Sequence, residues 1–142
     1  MHYIPIMRGS YLLIIKLEND NTIPIGKLGE LLLKKGFYVY VGSALNGLEQ
    51  RIQRHLRENK KIHWHIDYLL KYAKIINVFY KENNIREECL IANIFKETLH
   101  SICSFGCSDC KCKSHLFYGA YNEIKHIINK LDMNLYPSNS NY

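Results

Sequence analysis

Apolar residues run along this chain first in continuous stretches and then at helical spacing. Ser10 to Leu17, Ser-Tyr-Leu-Leu-Ile-Ile-Lys-Leu, is closed by the polar run Glu18-Asn19-Asp20-Asn21, which predicts a mostly buried strand and a turn. Thr22 to Gly26 is short and extended around Pro24, and the leucine-rich segment Lys27 to Lys35 predicts a helical turn before Gly36. Phe37 to Val41 is aromatic and β-branched throughout and predicts a second strand. From Gly47 to Asn59, Leu48, Ile52 and Leu56 recur every four residues. A helix there buries that side and carries Arg54, Arg57 and Glu58 elsewhere on its surface.

The second half continues the pattern. Ile66 to Tyr72 predicts a second helix, and Ile75 to Tyr80 a third strand that closes a small sheet. Asn83-Asn84 offers a cap for a helix over Arg86 to Leu99. Ser114 to Tyr118 is a short extended piece, and Tyr121 to Leu131 predicts a last helix. This order predicts an α+β fold, layered in the α/β manner, with a mixed or antiparallel central sheet of about three strands flanked by helices. Without repeats or linkers, the expected organisation is a single domain over 1–136 with a polar tail over 137–142.

Composition narrows the function. At 142 residues and 47% hydrophobic the chain can bury one real core and is too short for two ordinary domains. The net charge of +6 favours a polyanionic partner, because lysine and arginine that neutralise phosphates release condensed counterions. No apolar run reaches the length of a membrane span, and Met1-His2-Tyr3-Ile4-Pro5 lacks the basic start and apolar stretch of a signal peptide. The expectation is an intracellular, cytoplasmic protein with no membrane partner, associated with the nucleoid if it binds DNA. Five cysteines, four of them between Cys103 and Cys112, are not the spread framework of a secreted scaffold, so reduced thiols are expected.

The chemistry concentrates in Gly36-Phe37-Tyr38-Val39-Tyr40-Val41-Gly42-Ser43 and the basic helix that follows Gly47. Gly42 at the end of an apolar strand is expected to let the chain turn tightly with positive φ, so that the next helix faces an anion. Arg51 and His55 lie one helical turn apart and share a face. Hydrolysis of a phosphodiester needs an activated water, charge relief on the phosphoryl oxygens and help for the leaving oxygen. Tyr11 and Tyr40, pointing from neighbouring strands, would hold or deprotonate the water if nearby cations lower a phenol's pKa. Arg51 offers a permanently charged fork for a phosphate, and His55 would orient the water or shuttle a proton.

Gly9-Ser10-Tyr11 and Tyr40-Val41-Gly42, with Arg51 and His55 on the next helix, resemble the paired signature of the GIY-YIG nuclease superfamily. The resemblance is to a branch of unknown function met alone or fused to endonuclease III-type repair glycosylases. It extends over Lys61-Ile62-His63-Trp64-His65-Ile66-Asp67-Tyr68 and Ser108-Asp109-Cys110-Lys111-Cys112-Lys113-Ser114-His115. Here the first motif reads Gly-Ser-Tyr, and the gap to Tyr40 is longer than the superfamily's hairpin; Gly36-Phe37-Tyr38 is the alternative first motif. Many relatives carry an asparagine where this chain has Ser114-His115. The resemblance implies a metal-dependent DNA endonuclease of repair or recombination, with DNA-repair proteins among its partners. It also implies a divalent metal, magnesium or manganese, on a helical glutamate after the third strand. Glu88 is the choice and Glu87 its competitor. The alternative from another class is a non-catalytic nucleic-acid-binding module on the same fold.

Around these residues, Arg54, Lys60, Lys61, His63, His65, Lys111 and Lys113 are the expected nucleic-acid contacts. His63 and His65 could equally stabilise a turn, and Asp67 reads as a cap or ion-pair partner rather than a metal ligand. Cys103, Cys107, Cys110, Cys112 and His115 hold enough soft donors for a structural zinc, but the spacing is not that of a paired knuckle, so thiols or a labile disulfide are preferred.

Overall fold

In the computed structural model, residues 8–83, 85, 87–102, 104–105 and 114–136 are described. The two long apolar runs become its central strands, β1 (Gly9–Leu17) and β4 (Gly36–Ala44), paired antiparallel with Tyr11 opposite Gly42 and Leu13 opposite Tyr40. The next strand in space is β5 (Lys74–Glu82), antiparallel to β1 on its other edge. β7 (Leu116–Gly119) adds to β4, and the two-residue strands β6 (His100–Ser101) and β8 (Asn134–Leu135) finish the edges. The sheet has six strands in the order β6-β7-β4-β1-β5-β8, with every pairing antiparallel. The expectation of about three strands is thereby corrected, and of the two expected arrangements, mixed or antiparallel, the sheet is antiparallel. β7, β6 and β8 are too short to carry a two-residue period of their own.

Residues 18–35 also differ from expectation. The leucine-rich piece forms no helix beyond a 3-10 turn at Gly26–Leu28; instead β2 (Asn21–Pro24) and β3 (Glu30–Leu33) pair as a separate two-stranded sheet. Leucine's helix preference is small, about a few tenths of a kcal/mol per residue. Here Gly29, at φ 79°, turns the chain so that Ile23 and Leu33 can bury in the core beside β1.

Among the described residues four helices cover the sheet: α1 (Leu48–Leu56), α2 (His65–Leu69), α3 (Glu88–Lys96) and α4 (Tyr121–Asn129). Strand alternation sorts them. Tyr11, Leu13, Ile15, Tyr38 and Tyr40 pack on one face with Leu48 and Ile52 of α1 and Ile66 and Leu69 of α2. Leu12, Ile14, Val39 and Val41 pack on the other with Ile91 and Phe95 of α3 and Ile124 and Ile128 of α4. The fold is thus α+β, an antiparallel sheet between two helical layers. No helix among the described residues is long and apolar enough to cross a membrane. The tail expected over 137–142 lies outside the described residues.

Candidate active site

β4 does not end at Gly42. The strand continues to Ala44, Gly42 has no positive φ, and the tight turn falls at Gly47, φ 71°, just before α1. Gly42 serves a different purpose: a Cβ there would meet Tyr11 Cζ at 2.4 Å, so the missing side chain is the space in which the Tyr11 ring lies. That placement carries the Tyr11 hydroxyl to His55 Nε2 of α1, 2.7 Å away. Tyr40 closes the cluster, edge-on to the His55 ring with centroids 6.3 Å apart. The other tyrosine of β4, Tyr38, bonds the Lys34 carbonyl and packs on Tyr118, away from this cluster.

Both members of the dyad are buried, Tyr11 at 2% and His55 at 2% exposure. Burial, followed by the neighbouring Tyr40, pushes the Tyr11 phenol well above its ordinary value; the Arg51 charge pulls the other way and is outweighed. The expected lowering by cations is therefore reversed. Burial likewise depresses the His55 imidazole to about 3, against the raising influence of Asp67. At neutral pH the dyad is an un-ionised phenol against a neutral imidazole, and His55 Nδ1 has no hydrogen-bond partner.

Arg51 leaves α1 toward the C-terminal end of β4, where Nη1 donates to the Ser43 carbonyl at 2.7 Å. Ser43 has the opposite parity to Tyr40 and faces α3, where its hydroxyl donates to Glu88 Oε1 at 2.5 Å. Glu88 Oε2 lies 3.2 Å from His115 Nδ1, which also meets the Val41 carbonyl at 3.1 Å. The phenols and the carboxylate thus reach the end of β4 from opposite faces, with Arg51 and Ser43 between them. Glu88 is near enough for its charge to raise the Tyr11 pKa. Glu87 turns away to Asn83 and Lys81, so the register of α3 separates the two adjacent glutamates.

The surrounding basic residues divide sharply. Arg54 is not a free surface cation: its guanidinium forks onto Asp67 at 3.0 and 2.9 Å and also donates to the Lys61 carbonyl. Asp67 in turn accepts the backbone N–H groups of His63 and Trp64, which makes it the cap and ion-pair partner expected. These bonds hold its carboxyl below the usual range although burial, the largest influence, opposes them. Arg51 and Arg54 both lie over the Trp64 ring, at 4.8 and 4.5 Å from its centre, and with Gly47 and Gln50 they line a cleft of about 460 Å³. His63 packs edge-on to Trp64 and His65 to Phe105. Lys60 donates to the Arg57 carbonyl, and Lys61 is exposed.

Cys103, Cys107, Cys110, Cys112, Lys111 and Lys113 lie outside the described residues. Their proposed partner His115 is buried against Val41 and Glu88, with Nε2 3.9 Å from Cys89 Sγ. Cys89 is disulfide-bonded, which corrects the expectation of reduced thiols at that position. No group of three or more histidine, cysteine, aspartate or glutamate side chains that could hold a metal occurs among the described residues. Glu88 nonetheless suits a hard cation, which keeps most of its waters and needs few protein oxygens, because each carboxylate oxygen has lone-pair capacity beyond one hydrogen bond. Ser43 and His115 are the members that motif reasoning did not assign to Glu88, since only the fold brings them to it.

A family model described as "Domain of unknown function DUF123" matches residues 10–135. No curated protein and no solved structure matches the chain.

Proposed function

We propose, from the premise that the chain belongs to the DUF123 family, whose description assigns no function, that it is a metal-dependent endonuclease of the GIY-YIG type. In this reading it hydrolyses phosphodiester bonds in DNA during repair or recombination. The observation that carries it is the 2.7 Å bond between Tyr11 and His55, with Arg51 and Glu88 directed to the same end of β4.

The chemistry follows from the protonation states. In the tautomer that carries the imidazole proton on Nδ1, the Tyr11 hydroxyl donates to His55 Nε2 and a lone pair on the phenol oxygen is left for the attacking water. As the water oxygen bonds to phosphorus, its proton passes to the Tyr11 oxygen while the Tyr11 proton passes to Nε2, and the P–O bond to the leaving oxygen breaks. The leaving oxygen takes up a proton from solvent. Asp67, whose charge acts to raise the His55 pKa, offsets part of the cost of the imidazolium formed, against burial and the neighbouring Arg54 and Arg51. Arg51 clamps the phosphoryl oxygens, and Tyr40 bounds the water's side of the cluster. A magnesium or manganese ion held by Glu88 would supply charge relief on the same oxygens.

The test is nicking of supercoiled and branched DNA by the purified protein in magnesium or manganese, with Tyr11→Phe as control. Metal-dependent nicking lost in the variant supports the reading; no nicking by the wild type on any of these substrates overturns it. The second reading, a nucleic-acid-binding module without catalysis, draws on the closure of the dyad and on the bonds that Ser43 and His115 already make to Glu88. DNA binding without nicking decides for it.

A further inference from the structure

The C-terminal end of α1 opens on a second cleft, of about 720 Å³, within the size range of small-ligand sites. It is walled by the end of α1, the segment after it, and the turn from α2 into β5. Arg57, Lys60, Lys71 and Lys74 contribute four cations against the single carboxylate of Glu58. None of the four forms an ion pair with a carboxylate among the described residues. Tyr72, 43% exposed, supplies an aromatic ring in their midst. The same cleft is lined by His55, a buried side chain whose Nδ1 has no partner.

Cations without a carboxylate partner and an exposed aromatic ring together match the parts of a nucleotide: phosphate oxygens for the lysines and a base for the ring. The first cleft, at Arg51 and Trp64, lies toward the other end of α1, a helix about 13 Å long. A strand of a few nucleotides would span the two, passing over His55. Stacking on a tyrosine needs an unpaired base, which points to a single-stranded segment rather than intact duplex.

We infer that the Lys60–Lys71–Tyr72–Lys74 cleft is a nucleotide-binding subsite that takes a phosphate and an unpaired base beside the Tyr11–His55 dyad. The inference rests on the proposed function only for the polymer that it engages. Its test is therefore run in chelator, so that loss of catalysis cannot be mistaken for loss of the subsite.

Binding of a fluorescent oligothymidylate is followed by anisotropy in EDTA at low salt, with thymidine 5′-monophosphate as competitor. Lys71→Glu with Lys74→Glu weakens binding about tenfold or more and flattens its salt dependence. Tyr72→Ala weakens it roughly fivefold or more, and Tyr72→Phe restores it. The charge reversal Lys96→Glu on α3, half the charge change of the lysine pair, alters it less than twofold, and all variants keep the wild-type melting transition. Competition by the mononucleotide identifies a free nucleotide as a sufficient ligand; its failure alongside oligonucleotide binding identifies the strand. The inference is overturned if Tyr72→Ala and the lysine pair bind as the wild type does, or if Lys96→Glu weakens binding as much. Nicking activity with unchanged cleft variants would leave the nuclease reading standing and remove the subsite; binding at the cleft without nicking would do the reverse.

Discussion

The Tyr11 ring occupies the space that a side chain at Gly42 would fill, with Cζ and the hydroxyl 2.4 and 2.5 Å from where a Cβ would stand. Gly42 is tied to packing rather than to backbone strain. Gly42→Ala must displace Tyr11 from His55, because the ring is wedged between β4 and α1. The expected result is a stability loss of about 1–3 kcal/mol, the usual cost of overpacking, with the proposed nuclease activity falling as far as in Tyr11→Phe. Denaturant unfolding and nicking assays check the two halves, and an Ala variant with full activity would show that the ring position is unimportant.

That relationship also marks how far the sequence could be read. β1, β4 and α1 were legible because each carries its period without interruption: a run from Tyr11 to Ile15, aromatic and branched residues from Phe37 to Val41, and Leu48 and Ile52 at helical spacing. The hairpin of β2 and β3 was not, because Leu31-Leu32-Leu33 suits a helix locally and only pairing with Asn21–Ile23 makes it a strand. Tyr11, Tyr40, Arg51 and His55 could be named from motif spacing. Ser43 as a partner of Glu88, Arg54 as a partner of Asp67, and Arg57 and Lys60 lining one cleft with Lys71 and Tyr72 depend on how helices dock, which no local pattern encodes.

His55 makes the fold sensitive to mild acid. Its folded-state pKa is about 3 while an unfolded histidine takes up its proton near pH 6.5, so its contribution is complete above 6.5 and drains away as pH falls toward 3. Between pH 7 and pH 5 the expected loss is about 2 kcal/mol. Burial lowers His65 in the same direction, so the comparison is with His55→Gln, which should lose distinctly less over the same interval. Urea unfolding at the two pH values measures this; equal pH dependence in the two proteins would refute it.

Arg54 and Asp67 form a pair in which the aspartate side chain is wholly buried and the arginine is 19% exposed. Asp67 also fixes the backbone of His63 and Trp64. Arg54→Ala strands that carboxylate and is expected to cost roughly 3–5 kcal/mol. Asp67→Asn, which keeps a carbonyl for the two N–H groups, should cost less. If Arg54→Ala instead only weakens DNA binding and leaves stability intact, Arg54 is a contact residue and not a structural one.

Glu88 and Ser43 separate charge from orientation. Glu88→Gln removes the carboxylate that would hold the divalent ion and is expected to reduce nicking about a hundredfold or more. Ser43→Ala leaves the charge but removes the 2.5 Å bond that aims Oε1, so metal affinity should fall about ten- to a hundredfold with activity recoverable at high manganese. Manganese titration followed by electron paramagnetic resonance, alongside nicking, distinguishes them. Unchanged metal binding in Glu88→Gln would exclude this carboxylate as the ligand.

Tyr11→Phe deletes one oxygen and leaves the ring in the space above Gly42, so the core should remain filled. It strips His55 Nε2 of its 2.7 Å partner inside a buried site where Nδ1 is already unsatisfied, at an expected cost of about 1–3 kcal/mol. In the proposed relay through Tyr11 the variant would also lose the atom that accepts the water's proton, and nicking should fall about a hundredfold or more while oligonucleotide binding in chelator stays within twofold. His55→Gln on its own breaks the relay one step later and should produce a loss of similar size. The double variant is the decisive measurement: if the two residues act as one unit, it loses no more activity than either single variant, whereas multiplied losses would mean that Tyr11 and His55 serve separate steps.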